Sequence, residues 1–170
     1  MDNFFPDSDY KIPETSNYMK FLEGDNKFRV LSSAITGWEY WTNQNKPVRN
    51  KENWDSVPDD IKFEKDGSVK INHFWAFIVW NYRANKVQIL QITQKGIMKF
   101  IQGLVKNPKW GNPKGYDITI SKTGSGFDTE YTFIADPHSS VDESIENKYQ
   151  KMNIDLEALY KGDDPFNPKK

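Results

Sequence analysis

Cysteine is absent from this sequence. That excludes disulfides, thiol chemistry and cysteine-containing zinc sites, and it fits a reducing compartment. Histidine is nearly absent, with only His73 and His138. The two lack metal-ligand spacing and no third ligand stands out, so neither a metal nor a cofactor is expected. No Ser-His-Asp constellation, phosphate loop or dinucleotide fingerprint occurs, and Gly124-Ser-Gly126 reads better as a hairpin turn than as a phosphate cradle. An enzyme is not expected. Long apolar runs are missing as well: the longest, Phe74 to Trp80, is far too short to span a bilayer. The opening MDNFFPDSDY has neither the basic stretch nor the apolar run of a secretory signal, so the expectation is a soluble, intracellular protein.

What the chain does have is rings. Hydrophobic residues make up only 36% and mean hydropathy is -0.81, yet aromatics reach 15% with 6 Trp. This balance points to rings used for contact as well as for core. At 170 residues the chain is long enough for one domain with short flanks.

The net charge of -1 conceals a sorted distribution. Residues 1–16 hold one Lys against four acids, residues 17–122 hold 17 basic against 10 acidic residues, and residues 123–170 hold 5 Lys against 10 acids. A basic body with acidic ends points to a polyanion as partner.

Residues 1–16 read as a flexible acidic lead-in, residues 17–137 as the folded domain, and residues 138–170 as a C-terminal helix with an acidic tail. A short helical turn fits Asn17 to Leu22. Lys27 to Ser32 alternates polar and apolar side chains and continues past a kink at Gly37 into Trp38 to Trp41, giving one long bent strand. Residues 42–70 form a long polar connection, of the kind that is functional or disordered in compact domains. Ile71 to Tyr82 is the strongest strand, with Val87 to Ile92 as its hairpin partner. Thr93 is a candidate N-cap for a helix whose face is Ile97, Phe100, Ile101, Leu104 and Val105, stopped at Asn107-Pro108. Tyr116 to Lys122 and Asp128 to Ala135 form a second hairpin, and residues 139–161 a weakly amphipathic helix. Five strands with one helix between the third and fourth predict a mainly-β, five-stranded OB-fold barrel.

Barrels of this kind bind nucleic acid on one sheet face between loops. Here the first long loop carries Lys46, Arg49, Lys51, Lys62, Lys65 and Lys70, starts from Trp38, Tyr40 and Trp41, and contains Trp54. Lys and Arg neutralise phosphates with counterion release, while rings stack on unpaired bases at roughly 1–3 kcal/mol each, without regard to sequence. Trp75, Phe77, Trp80 and Tyr82, with Arg83 at the turn, join the candidate DNA-binding set. Strand alternation sends one row of 71–82 inward; periodicity leaves open which.

Near the end, Asp163, Asp164, Pro165 and Phe166 resemble the acidic tip of bacterial single-stranded DNA-binding proteins, a candidate partner-binding tail, although Asn167-Pro-Lys-Lys170 follows where that tip usually ends. Several ordered blocks carry a wider resemblance: Tyr18 to Leu31, Gly37-Trp-Glu-Tyr-Trp41, Lys46-Pro-Val-Arg49, His73 to Tyr82 and Val87 to Thr93. Together they resemble tailed-phage OB-fold single-stranded DNA-binding proteins from about residue 17 to 135. The resemblance implies a protein that coats single-stranded DNA during phage replication or recombination, in the cytoplasm of a bacterial host, with replication or recombination proteins as partners of the tail. Two other readings are a protein-binding adaptor of the same fold without nucleic-acid affinity, and a carbohydrate- or nucleotide-processing enzyme. The latter would require Glu39, Asp117 and Glu130 to cluster.

Overall fold

A computed structural model describes residues 4–5 and 16–168. Most of the expected acidic lead-in and the last two lysines lie outside the described residues.

The alternating segments form a seven-stranded sheet: β1 (Gly24–Val30), β2 (Ile35–Trp41), β3 (Pro47–Asn50), β4 (Asn72–Asn81), β5 (Lys86–Ile92), β6 (Asp117–Thr123) and β7 (Glu130–Ala135). The strand ladders are antiparallel. β4 is the hub. One edge carries β5, from Trp75 opposite Ile92 to Asn81 opposite Lys86. The other edge takes β1 and β2 end to end, with Val30 opposite Val79 and Ile35 opposite Ala76. Beyond them β1 pairs with β6, β6 with β7, and β2 with β3.

Three features depart from the five-stranded expectation. The long first strand breaks at residues 31–34, where the Ile78 amide donates to Ser32 Oγ at 2.8 Å, which makes two strands of one. The polar connection contributes β3. No ladder joins β5 to β7 among the described residues, so the sheet is open rather than a closed ring. Alternation reports the strand period but not which edges meet. Gly37 is not the kink either. It lies within β2, where a Cβ would clash with the Asn50 carbonyl oxygen of β3, so glycine is there to admit a close neighbour. Nor do residues 17–22 form a helical turn. Met19 donates to the Ile89 carbonyl and Ile89 to that of Asn17, both at 2.9 Å, which satisfies the free edge of β5.

Two cores lie on opposite faces of β4. On one face α1 (Lys95–Lys106) buries Ile97, Met98, Ile101 and Leu104 against Phe28, Phe77, Val79, Leu90 and Ile118. Burying each such side chain contributes about 1.5–3 kcal/mol. The N-cap is Gln94, without a side-chain capping bond, rather than Thr93; the helix ends at Asn107 as its Asn-Pro sequence predicts. On the other face Phe74, Ala76, Ile78 and Trp80 are covered by the C-terminal segment through Ile145, Leu156 and Leu159. That segment is not one helix. α2 (Glu143–Met152) ends on Asn153 in the left-handed conformation (φ 49°), and a 3-10 helix follows at Leu156–Lys161.

The acidic tail is not an exposed linear peptide. Pro165 is buried and accepts from the Asp155 amide at 2.9 Å, the Asp163 amide donates to Ala158, and the Phe166 ring packs half-buried on the second core. An apolar ring beside an uncovered apolar sheet face buries itself there, which the local acidic composition does not reveal. Arg29, 2% exposed, pins the start of the segment: it donates to Asp117 at 2.7 Å, to the Ser139 carbonyl at 3.0 Å and to Ser139 Oγ at 2.7 Å.

Candidate nucleic-acid interface

At the edge of the two cores, β2, β3 and the start of β4 form a blade, and four of the five tryptophans that are not buried stand on it or on the loop that follows β3. Side chains opposite each other in an antiparallel ladder share a face. Trp38 stands opposite His73 on β4 and Asn50 on β3, while Thr36 stands opposite Trp75. The helix-side face of the blade therefore carries Trp75, His73, Trp38 and Tyr40 in sequence across the strands. Trp38 and His73 lie 4.8 Å apart at their ring centroids, as do Tyr40 and Trp54 in an edge contact of 77°. Trp38, Trp54 and Trp75 are half-buried. Tyr40 is buried, its hydroxyl donating to Asp60 at 2.8 Å, so it backs the row rather than offering a face. Burial first, then the Asp60 hydrogen bond and charge, raise its pKa. His73 Nδ1 is buried without a hydrogen-bond partner among the described residues.

The opposite face of the blade carries Trp41, 46% exposed. With Lys62, Glu64, Lys70 and Asn72 it lines a small cavity of about 190 Å³. The long connection builds this corner by folding back. Lys62 donates its amide to the Trp41 carbonyl at 2.8 Å, Asn43 donates to Asp60 at 2.9 Å, and Ile61 is buried beneath. The connection is thus ordered, with an apolar anchor of one residue. Among the described residues, Lys46, Lys62, Lys65 and Lys70 make no ion pair.

The other sequence candidates are dispersed. Phe77 and Trp80 are 3% and 4% exposed, in opposite cores, so neither presents a ring to a base. Both rows of β4 are covered over the body of the sheet, and neither faces out there. Arg49 is committed: its Nε lies 2.8 Å from Glu39 Oε2 and 3.1 Å from Gln91 Oε1, largely buried on both sides. Lys51 leans over the Tyr160 ring at 5.4 Å and lies 3.7 Å from Glu157, which ties it to the C-terminal segment. Tyr82 and Arg83 stand at the far end of β4. Tyr82 donates to Asp117 at 2.9 Å under Lys27, and burial, with the Asp117 hydrogen bond and charge, pushes its pKa up to about 12. Arg83 donates to the Glu23 carbonyl at 3.1 Å.

Lys62 and Lys70, two of the loop lysines expected to meet phosphates, are brought beside Trp41 by the fold, a juxtaposition that their separation of 21 and 29 residues in the sequence does not announce. The acids that an enzyme would need do not converge. Glu39 pairs with Arg49, Asp117 with Arg29 and Tyr82, and Glu130 is exposed at the start of β7. No group of three potential metal ligands occurs among the described residues, and no described helix is long and apolar enough to cross a membrane.

No family model and no solved structure matches the chain. A curated relative does match: a protein of Escherichia phage T5 named as a probable ssDNA-binding protein, 27% identical over 172 aligned positions that cover 82% of this chain. The chain spans 65% of that relative's length. The ordered blocks of its sequence and this match agree: the chain is similar to a phage protein named as a probable single-stranded DNA-binding protein.

Proposed function

We propose that this chain binds single-stranded DNA with little sequence preference, along the blade formed by β2, β3 and the start of β4. The observation that carries the reading is the concentration of half-exposed rings there, Trp38, Trp54, Trp75 and Trp41, beside lysines free of ion pairs. Bases stack on rings irrespective of identity, and Lys62 and Lys70 flank Trp41 where a phosphate would follow a stacked base. The named relative supports the same ligand. We further read the fold as an OB type, with β1 and β2 as halves of one bent strand, β4 to β7 as the other four, and α1 between the third and fourth. A role in coating unwound DNA during phage replication or recombination follows from this ligand. Docking of a partner protein through Phe166 would require its ring to leave the sheet, so the proposal rests on DNA alone.

Titration with oligo-dT, followed by tryptophan fluorescence at several salt concentrations, tests it. Quenching is expected, with log affinity falling linearly in log salt by about 0.7 for each phosphate neutralised. Absence of quenching, or affinity indifferent to salt, overturns the reading.

A further inference from the structure

A groove of about 440 Å³ opens next to Trp75, between the bend joining β1 to β2, the second half of α1, and Asn112–Pro113. We propose that this groove holds one unpaired nucleotide of the strand that crosses the blade, its base stacked on Trp75 and its phosphate met by Lys114. The inference rests on the DNA-binding reading and extends it to a second element, α1, that the strand-based interface does not include.

Continuity comes first. Trp75 belongs to the ring row of the blade and also lines the groove, so a strand stacked on Trp38 would reach the groove on the same face. The wall chemistry suits a base: Ala34 and Val105 give apolar surface, while Gln102, Asn112 and Ser33 add amide and hydroxyl groups able to meet donors and acceptors on a base edge, and no acid lines it. Val105 is 49% exposed although it sits on the apolar stripe of α1, so that stripe is wider than its partners in the core require.

Charge is the third argument. Residues 95–116 contain five lysines and no acid. Lys114 Nζ reaches within 3.4 Å of Ser33 Oγ at the groove's rim. Asp117, the next acid along the chain, is held by Arg29 and Tyr82. A lysine at the rim of a mostly apolar, acid-free groove complements a nucleotide better than it does an uncharged apolar peptide.

The test uses the full chain and oligo-dT of increasing length, with Val105→Asp and Lys114→Ala; both side chains are exposed. Oligonucleotides too short to pass Trp75 should bind both variants as they bind the unaltered chain. On longer ones Val105→Asp should lose about tenfold in affinity, within the range for one lost stacked base. Lys114→Ala should lower the salt slope by about 0.7. Should Val105→Asp unfold, Gln102→Glu takes its place. Wild-type affinity at all lengths in these variants, or the same loss at every length, overturns the groove as a separate subsite. A wild-type chain that quenches with no oligonucleotide overturns the reading beneath it instead.

Discussion

The body of the sheet and its blade are built from the same residue types put to opposite uses. In the body Trp80 lies 4% exposed between β5 and the C-terminal segment, and Arg29 lies 2% exposed in a cage of oxygens. On the blade Trp41 is 46% exposed, and Lys62 and Lys70 beside it are without ion pairs among the described residues. What separates them is cover. α1 covers one face of β4 and the C-terminal segment the other, the latter reaching as far as β2 and Lys51 through Tyr160 and Glu157; among the described residues no such cover lies over Trp41. A ring's role here follows from its distance from those two covers more than from its own identity.

Substituting matched residues on either side tests that contrast. The largest effect is expected from Trp80→Ala, which should cost about 3–5 kcal/mol in urea unfolding, while oligo-dT affinity of the folded protein stays as it was. Next comes Arg49→Ala, which leaves the buried Glu39 without its cation and with only the Gln91 amide to meet it. A loss of about 3 kcal/mol in stability is expected, with the salt slope of DNA binding unchanged. The paired change Lys62→Ala with Lys70→Ala should do the reverse, reducing the slope by about 1.4 and leaving the unfolding midpoint in place. Trp41→Ala should weaken oligo-dT binding by about 1–3 kcal/mol and move stability within about 0.5 kcal/mol, as surface changes do. If Trp41→Ala unfolds the protein, or Trp80→Ala abolishes binding in the folded state, the distinction between body and blade fails.

The smallest effect is a pH dependence. Tyr82 has a folded pKa of about 12, above the ordinary tyrosine value of 10.0. Its contribution is therefore complete below pH 10 and is lost as pH rises toward 12, where the phenolate would face Asp117. Tyr82→Phe should flatten the alkaline limb of an unfolding-midpoint profile across that window; an unchanged limb would mean that other groups set it.

Much of this was legible in the residues themselves. The β4–β5 hairpin, α1 and the β6–β7 hairpin follow from local periodicity, and they sit within a few residues of where alternation and the helical face put them. What escaped is non-local. The run from Phe74 to Trp80 reads the same whether one face or both are covered, because a strand enclosed on two sides loses its alternation. Nothing near Arg49 in sequence announces that Glu39 and Gln91 will engage it. β3 is four residues with Pro at its start, too short to show a period, and it is held by Gly37's tolerance of the Asn50 carbonyl. Trp41 and Trp54 read as candidates for contact because Thr, Asn, Gln, Lys and Asp surround them, and neither is buried; Phe77 and Trp80 were not separable from them by composition alone.

The cover over the second core has a consequence for how the molecule is made. Phe74, Ala76, Ile78 and Trp80 are synthesised well before Ile145, Leu156 and Leu159, which enclose them. A nascent chain that has just extruded β7 therefore carries a finished sheet with one greasy side bare, the state in which growing polypeptides are most prone to stick to one another. A fragment ending at residue 137 should bind an apolar dye strongly and precipitate on warming, whereas the full chain should do neither. On this view the sheet closes over its own back only once residues 145–159 have emerged.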